Sequence, residues 1–139
     1  MRGVISPIIR RLTDGKAIQV LIDSLLNELV SSVDGATGAI IVAVDGEAIQ
    51  WGASAQTDRL RLRSAYVAVV MQAFRGAASR AGLGRPKYLV VEYDGATIIA
   101  QEIGDDCSVV LELKSNVSVG RTLYQMEPVT DKLRHEISA

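Results

Sequence analysis

With one cysteine and one histidine in 139 residues, the chain has few routes to catalysis. Cys107 alone gives neither an internal disulfide nor a cysteine-based metal cluster, and it fits a reducing compartment. His135 stands among Lys132, Arg134 and Glu136 on a segment with helical phase, the setting of a solvated face. A serine–histidine or cysteine–histidine pair would have to recruit this residue, and nothing around it supplies the partners. Charge of one sign is also missing. Lys+Arg number 15 against Asp+Glu 16, a net −1, which argues against nucleic acid as the partner. A spanning helix needs about 20 apolar residues in a row, and no such run occurs.

The leader, residues 1–16, holds Val4, Ile5, Ile8 and Ile9, broken by Pro7 and followed by Arg10 and Arg11. It is too short and too interrupted for a secretory signal, so the expected location is the cytoplasm. It reads either as an arm that packs on the domain or a partner, or as a frayed terminus. Residues 17–139 have an ordinary globular balance, 48% hydrophobic and 22% charged over the chain, and fit one domain with one core.

Ile18, Leu21, Ile22, Leu25, Leu29 and Val33 recur at helical spacing, which predicts a helix from Ala17 to Val33 ended by Asp34-Gly35. Thr37 to Val44, then Asp45-Gly46, then Glu47 to Trp51 predicts a hairpin, because a tight primed turn needs φ > 0 where Asp and Gly stand. Asp58 to Ala81 reads as one long helix, stopped by Gly82 and Gly84-Arg85-Pro86. Lys87 to Tyr93, Ala96 to Ile103 and Cys107 to Leu113 read as a three-strand meander. A last helix is expected over roughly Val117 to Ile137, with a kink or break at Pro128. The strands from Ala39 to Val44 and from Leu89 to Val91 are almost wholly apolar, so helices should cover both faces of the sheet. The fold class is α+β: a five-stranded antiparallel sheet in the order α-β-β-α-β-β-β-α.

The long helix has two apolar sides when wound at about 100° per residue. Leu60, Val67, Met71, Phe74, Ala78 and Ala81 are bulky and expected on the sheet. Leu62, Tyr66, Val69, Ala73 and Gly76 lie opposite, and their smaller members would let a second backbone approach. The reading is a dimer contact made by Tyr66, Val69, Ala73 and Gly76, against the blander one of packing on a loop of the same chain. Between the two sides runs the stripe Arg61, Ala65, Ala68, Gln72, Arg75 and Ser79, expected to bind the partner, with the edge at Arg63, Val70 and Ala77 as its rival.

No motif points to a cofactor or a metal. Asp105-Asp106 lacks further oxygen ligands at loop spacing and reads as a turn. Gly82-Leu-Gly84 follows a helix and opens a strand, the reverse of a phosphate loop.

The element order resembles the Roadblock (dynein light chain type) family. The stretch Leu25 to Gly46, with Gly35, Gly38, Asp45 and Gly46, looks like the family's first helix, Gly-x-x-Gly and Asp-Gly hairpin. Asn116-Val-Ser-Val-Gly120 is similar to the family's last strand followed by a glycine inside the final helix, and the stretch from Asn116 to Glu127 resembles bacterial members encoded beside a small GTPase. The likeness covers about residues 17–127, and the leader and the tail from Pro128 depart from it. It implies a profilin-like fold without enzyme activity and without cofactors. It also implies a homodimer pairing the third strand with its copy, adding Tyr88, Val90 and Glu92 to the contact, and a Ras-like GTPase as partner. The resulting expectation is a cytoplasmic regulator or scaffold of a small GTPase, with a structural adaptor and a small-ligand sensor as alternatives.

Overall fold

The computed structural model describes residue 10 and residues 15–51 and 57–138. The expectations for the leader fall largely on residues 1–9 and 11–14, and the loop before the long helix on residues 52–56, outside the described residues.

In chain order the elements are α1 (Lys16–Ser32), β1 (Ala36–Ala43), β2 (Ala48–Trp51), α2 (Thr57–Arg80), β3 (Tyr88–Glu92), β4 (Thr97–Gly104), β5 (Cys107–Leu113) and α3 (Val119–Ser138). The strands form one antiparallel sheet in the order β2-β1-β5-β4-β3. β1 and β5 sit at its centre, with Ile40 opposite Val110. β2 and β3 form the two edges, so α2 connects one edge to the other.

Side-chain alternation along the strands builds two cores. On one face Ile41, Ile99, Val109 and Leu111 meet Ile22, Leu26 and Leu29 of α1 and Met126, Leu133 and Ile137 of α3. On the other, Ile40, Val42, Ile98, Ala100 and Val110 meet Leu60, Val67, Ala68 and Met71 of α2. Both faces of the central strands are therefore covered, and β5 is buried at every position.

Two glycines are fixed by space as well as by backbone. Gly35 has φ +83° at the entrance to β1, and a Cβ there would lie 2.8 Å from a methyl of Val117. Gly46 has φ +91° in the β1–β2 turn, and its Cβ would meet the Ala65 carbonyl at 3.2 Å. In that turn the Glu47 N–H donates to the Asp45 carboxylate at 3.0 Å.

Of the kink or break expected at Pro128, the break does not occur. α3 runs unbroken from Val119 to Ser138 with Pro128 inside it. Pro128 lies on the exposed side, as does Tyr124, the residue whose carbonyl it leaves without an N–H partner.

Candidate interaction surface

α2 settles on the sheet through a narrow stripe of Leu60, Ser64, Val67, Ala68 and Met71. Ser64 is tolerated in that stripe because its hydroxyl donates back to the Leu60 carbonyl at 2.6 Å. A carboxylate lies near each end of the helix, Glu112 buried and Glu102 half-buried. Glu112 of β5 receives an N–H from Arg63, accepts the Thr37 hydroxyl at 3.3 Å, and has Arg59 at 3.9 Å. Glu102 of β4 accepts from Arg75 at 2.6 and 3.0 Å and pairs with Arg85 at 2.9 Å. Arg85 also bonds Asp105 at 3.0 Å, and that bond, with the charge of Glu102, raises its pKa further. The loop after α2 is thereby tied to the β4–β5 turn.

Contacts to either side of the stripe give the helix its orientation. Ala65 abuts Gly46 of the β1–β2 turn, so that flank points towards the β2 edge. Phe74, Ala77, Ala78 and Ala81 border a groove whose far wall is Pro86, Tyr88 and Leu89, so the opposite flank points towards the β3 edge. Leu62, Val69 and Ala73 then face away from the sheet.

That outer surface is unusually apolar. Eleven large hydrophobic side chains are exposed among the described residues, and eight of them fall on α2, the following loop, or β3 and its turn: Leu62, Tyr66, Val69, Val70, Phe74, Leu83, Tyr88 and Tyr93. Apolar exposure concentrated in this way marks a surface built to be covered.

The expected site residues divide. Tyr66, Val69, Ala73, Tyr88 and Glu92 are exposed, and Gly76 and Val90 are half-buried. Of the stripe, Arg61, Gln72 and Ser79 are exposed, whereas Ala65 is half-buried against the hairpin turn. Ala68 corrects the expectation: it is 4% exposed and packs on the sheet, so no partner reaches it. Arg75 is half-buried and engaged with Glu102. Phe74 and Ala81, expected on the sheet, are exposed instead, because the C-terminal half of α2 borders the open groove. On the rival edge, Val70 and Ala77 are exposed and Arg63 is bound to Glu112.

Sequence reasoning missed Glu102 and Glu112. The signal was parity: Glu102 shares a strand face with Ile98 and Ala100, and Glu112 with Val110, which directs both carboxylates under α2. Cys107 is buried, and burial, then the charges of Asp106, Asp105 and Glu102, push its thiol pKa up to about 12. Among the described residues no group of three or more His, Cys, Asp or Glu could hold a metal ion, and no helix is long and apolar enough to cross a membrane.

The Roadblock/LC7 domain family matches residues 22–112. Three solved structures share the fold at low identity. A Roadblock/LC7 domain from Streptomyces avermitilis is 19% identical, with a TM-score of 0.74 over 84% of this chain and 98% of its own. Myxococcus xanthus MglB is 16% identical, with a TM-score of 0.75 over 84% of this chain and 87% of its own. MglB in a tetrameric arrangement is 16% identical, with a TM-score of 0.71 over 97% of this chain and 93% of its own. No protein of curated function matches the sequence significantly.

Proposed function

This chain belongs to the Roadblock/LC7 domain family, and from that premise we propose that it is a cytoplasmic, non-enzymatic homodimer that regulates or scaffolds a Ras-like GTPase. The observation that carries the reading is the apolar surface of α2 and β3, where eight of the eleven exposed large hydrophobics of the described residues gather. An edge strand with an unpaired backbone beside an apolar helix flank is suited to a second copy of itself. β3 with Tyr88, Val90 and Glu92, and the flank of α2 with Tyr66, Val70, Phe74 and Ala77, therefore form the self-association surface.

The outward side of α2 is left for the partner. It holds Leu62, Val69 and Ala73, bordered on the β2-directed flank by the exposed Arg61, Gln72 and Ser79 of the original stripe. Assigning Val69 and Ala73 here rather than to the dimer follows from the orientation of α2, whose β3-directed flank lies around Phe74 and Ala77. An apolar centre edged by arginine and amide groups is the composition of a protein-binding surface. The identity of the partner rests on the family resemblance.

Light scattering at micromolar concentration should give twice the chain mass. Titrating the purified dimer against the Ras-like GTPases of the source organism should find one that binds, at one GTPase per dimer. Val69→Glu should abolish that binding and leave the dimer mass unchanged. Binding unaffected by Val69→Glu moves the partner site off α2, and failure of every such GTPase to bind rejects the partner assignment.

A further inference from the structure

The groove between α2 and β3 has a volume of 470 Å³ and an apolar lining that includes Phe74, Ala78, Leu83, Pro86 and Leu89. Its outer wall is the loop after α2, and the bonds of Arg85 to Glu102 and Asp105 hold that wall in position. Phe74 and Leu83 at its rim are 54% and 78% exposed. The groove runs directly into the unpaired edge of β3 through Tyr88 and Leu89. Whatever completes that edge also meets the groove.

Face parity dictates how a second β3 would pair. Leu89 packs on the α2 side of the sheet and Val90 on the α1/α3 side. A two-fold axis normal to the sheet keeps both α2 helices on one face, and residues directly opposed across an antiparallel ladder share a face. The five-residue strand then overlaps fully only with Val90 opposite Val90 of the other copy. Met71 and Phe74 border the groove together with Leu89, next to that axis, so the α2 helices run antiparallel with their midpoints close to these residues. The half of one helix that lines the groove, from Phe74 to Ala81, then faces the stretch before Met71 in the other. On that stretch Tyr66 is the largest apolar side chain, and it is 67% exposed.

We infer that the groove is the seat of Tyr66 from a second copy, with two reciprocal seats per dimer. This rests on the self-association proposed above and adds its register and its anchor. A tyrosine suits the seat because the apolar ring fills the groove while the hydroxyl stays at the wet rim.

A bump-and-hole pair tests it by sedimentation equilibrium, with thermal melting of the monomer as the check on folding. Ala78→Trp fills the seat and should weaken the dimer by at least about tenfold. Adding Tyr66→Ala to it removes the displaced ring and should recover much of the loss. Leu83→Glu, at the exposed rim, should weaken the dimer without crowding the helix, which keeps the test available if Ala78→Trp does not fold. Parent-like dimerisation of Ala78→Trp or Leu83→Glu overturns the seat while leaving self-association intact. Weakening that Tyr66→Ala does not relieve overturns Tyr66 as the occupant. A parent chain that stays monomeric overturns the self-association itself.

Discussion

On the α1/α3 face the contact is continuous aliphatic core. Ile22, Leu26 and Leu29 from α1 and Leu133 from α3 are wholly buried against β1, β4 and β5. On the α2 face a narrower apolar stripe includes two small residues, Ser64 and Ala68, and the carboxylates of Glu112 and Glu102 grip the helix by its arginines. The outer sides differ in the opposite sense. α1 and α3 carry ion pairs such as Glu28–Lys132 at 3.0 Å, whereas α2 carries exposed Leu62, Tyr66, Val69 and Phe74. One face spends its apolar side chains inwards on stability, and the other divides them between its own sheet and its surroundings. A dedicated core and an exposed apolar surface thus sit back to back on a single sheet.

The sharpest way to break this comparison is to cut into each face. Leu26→Ala should cost about 2–5 kcal/mol of unfolding free energy, because the surrounding core collapses only partly around the void. Denaturant unfolding checks it, and a loss under 1 kcal/mol would mean that the α1/α3 face is not the main store of stability. Glu112→Ala should cost less, about 1–3 kcal/mol, since Arg63 and Arg59 retain access to water once released. Hydrogen exchange should then rise along α2 and stay unchanged in α1.

Alkaline pH probes the α1/α3 face without a cavity. Cys107 holds its proton until about 12, while an unfolded thiol loses it near its ordinary 9.0. The unfolded chain therefore binds fewer protons between these values, and stability falls as pH rises through that window. At pH 10 the thiol's share is about 1 kcal/mol. Parent and Cys107→Ala should diverge in slope above pH 9, and parallel slopes would mean that the thiol is not sequestered. The smallest effect on folding belongs to the outer side of α2. Leu62→Ser should stay within about 0.5 kcal/mol of the parent. A loss approaching that of Leu26→Ala would merge the two faces into one kind of surface.

Elements were legible in the sequence where periodicity and punctuation agree. A hairpin forms at Asp45-Gly46, though not through the primed turn expected there: only Gly46 has positive φ, and its N–H bonds the Ala43 carbonyl at 2.9 Å; β5 is bounded at Cys107 and Leu113, and the long helix ends within a residue of its expected limits. Helix phase was less legible. Two apolar sides of α2 compete, and hydrophobicity favours bulky Phe74 over Ser64 and Ala68 for the sheet. The sheet selects the small ones, because they allow the helix to lie close and Ser64 satisfies its hydroxyl within the helix. The same ambiguity put Ala68 in the partner stripe. Pro128 does not end α3, because it lies on the exposed side of the helix. Glu102 and Glu112 stayed hidden because a carboxylate in a strand ordinarily signals the wet side, and only pairing with arginines of a distant helix reverses that.

The strand order carries a consequence for the birth of the molecule. The central pair joins Ala36 to Leu113, so the middle of the sheet cannot close until nearly the whole chain has been made. A nascent chain ending after α2 has its first hairpin and two helices but no β5 to cover β1. During synthesis the apolar edge of β1 must wait through more than half the translation of the domain, a delay set by topology that favours slow, late closure and a need for protection in the interval.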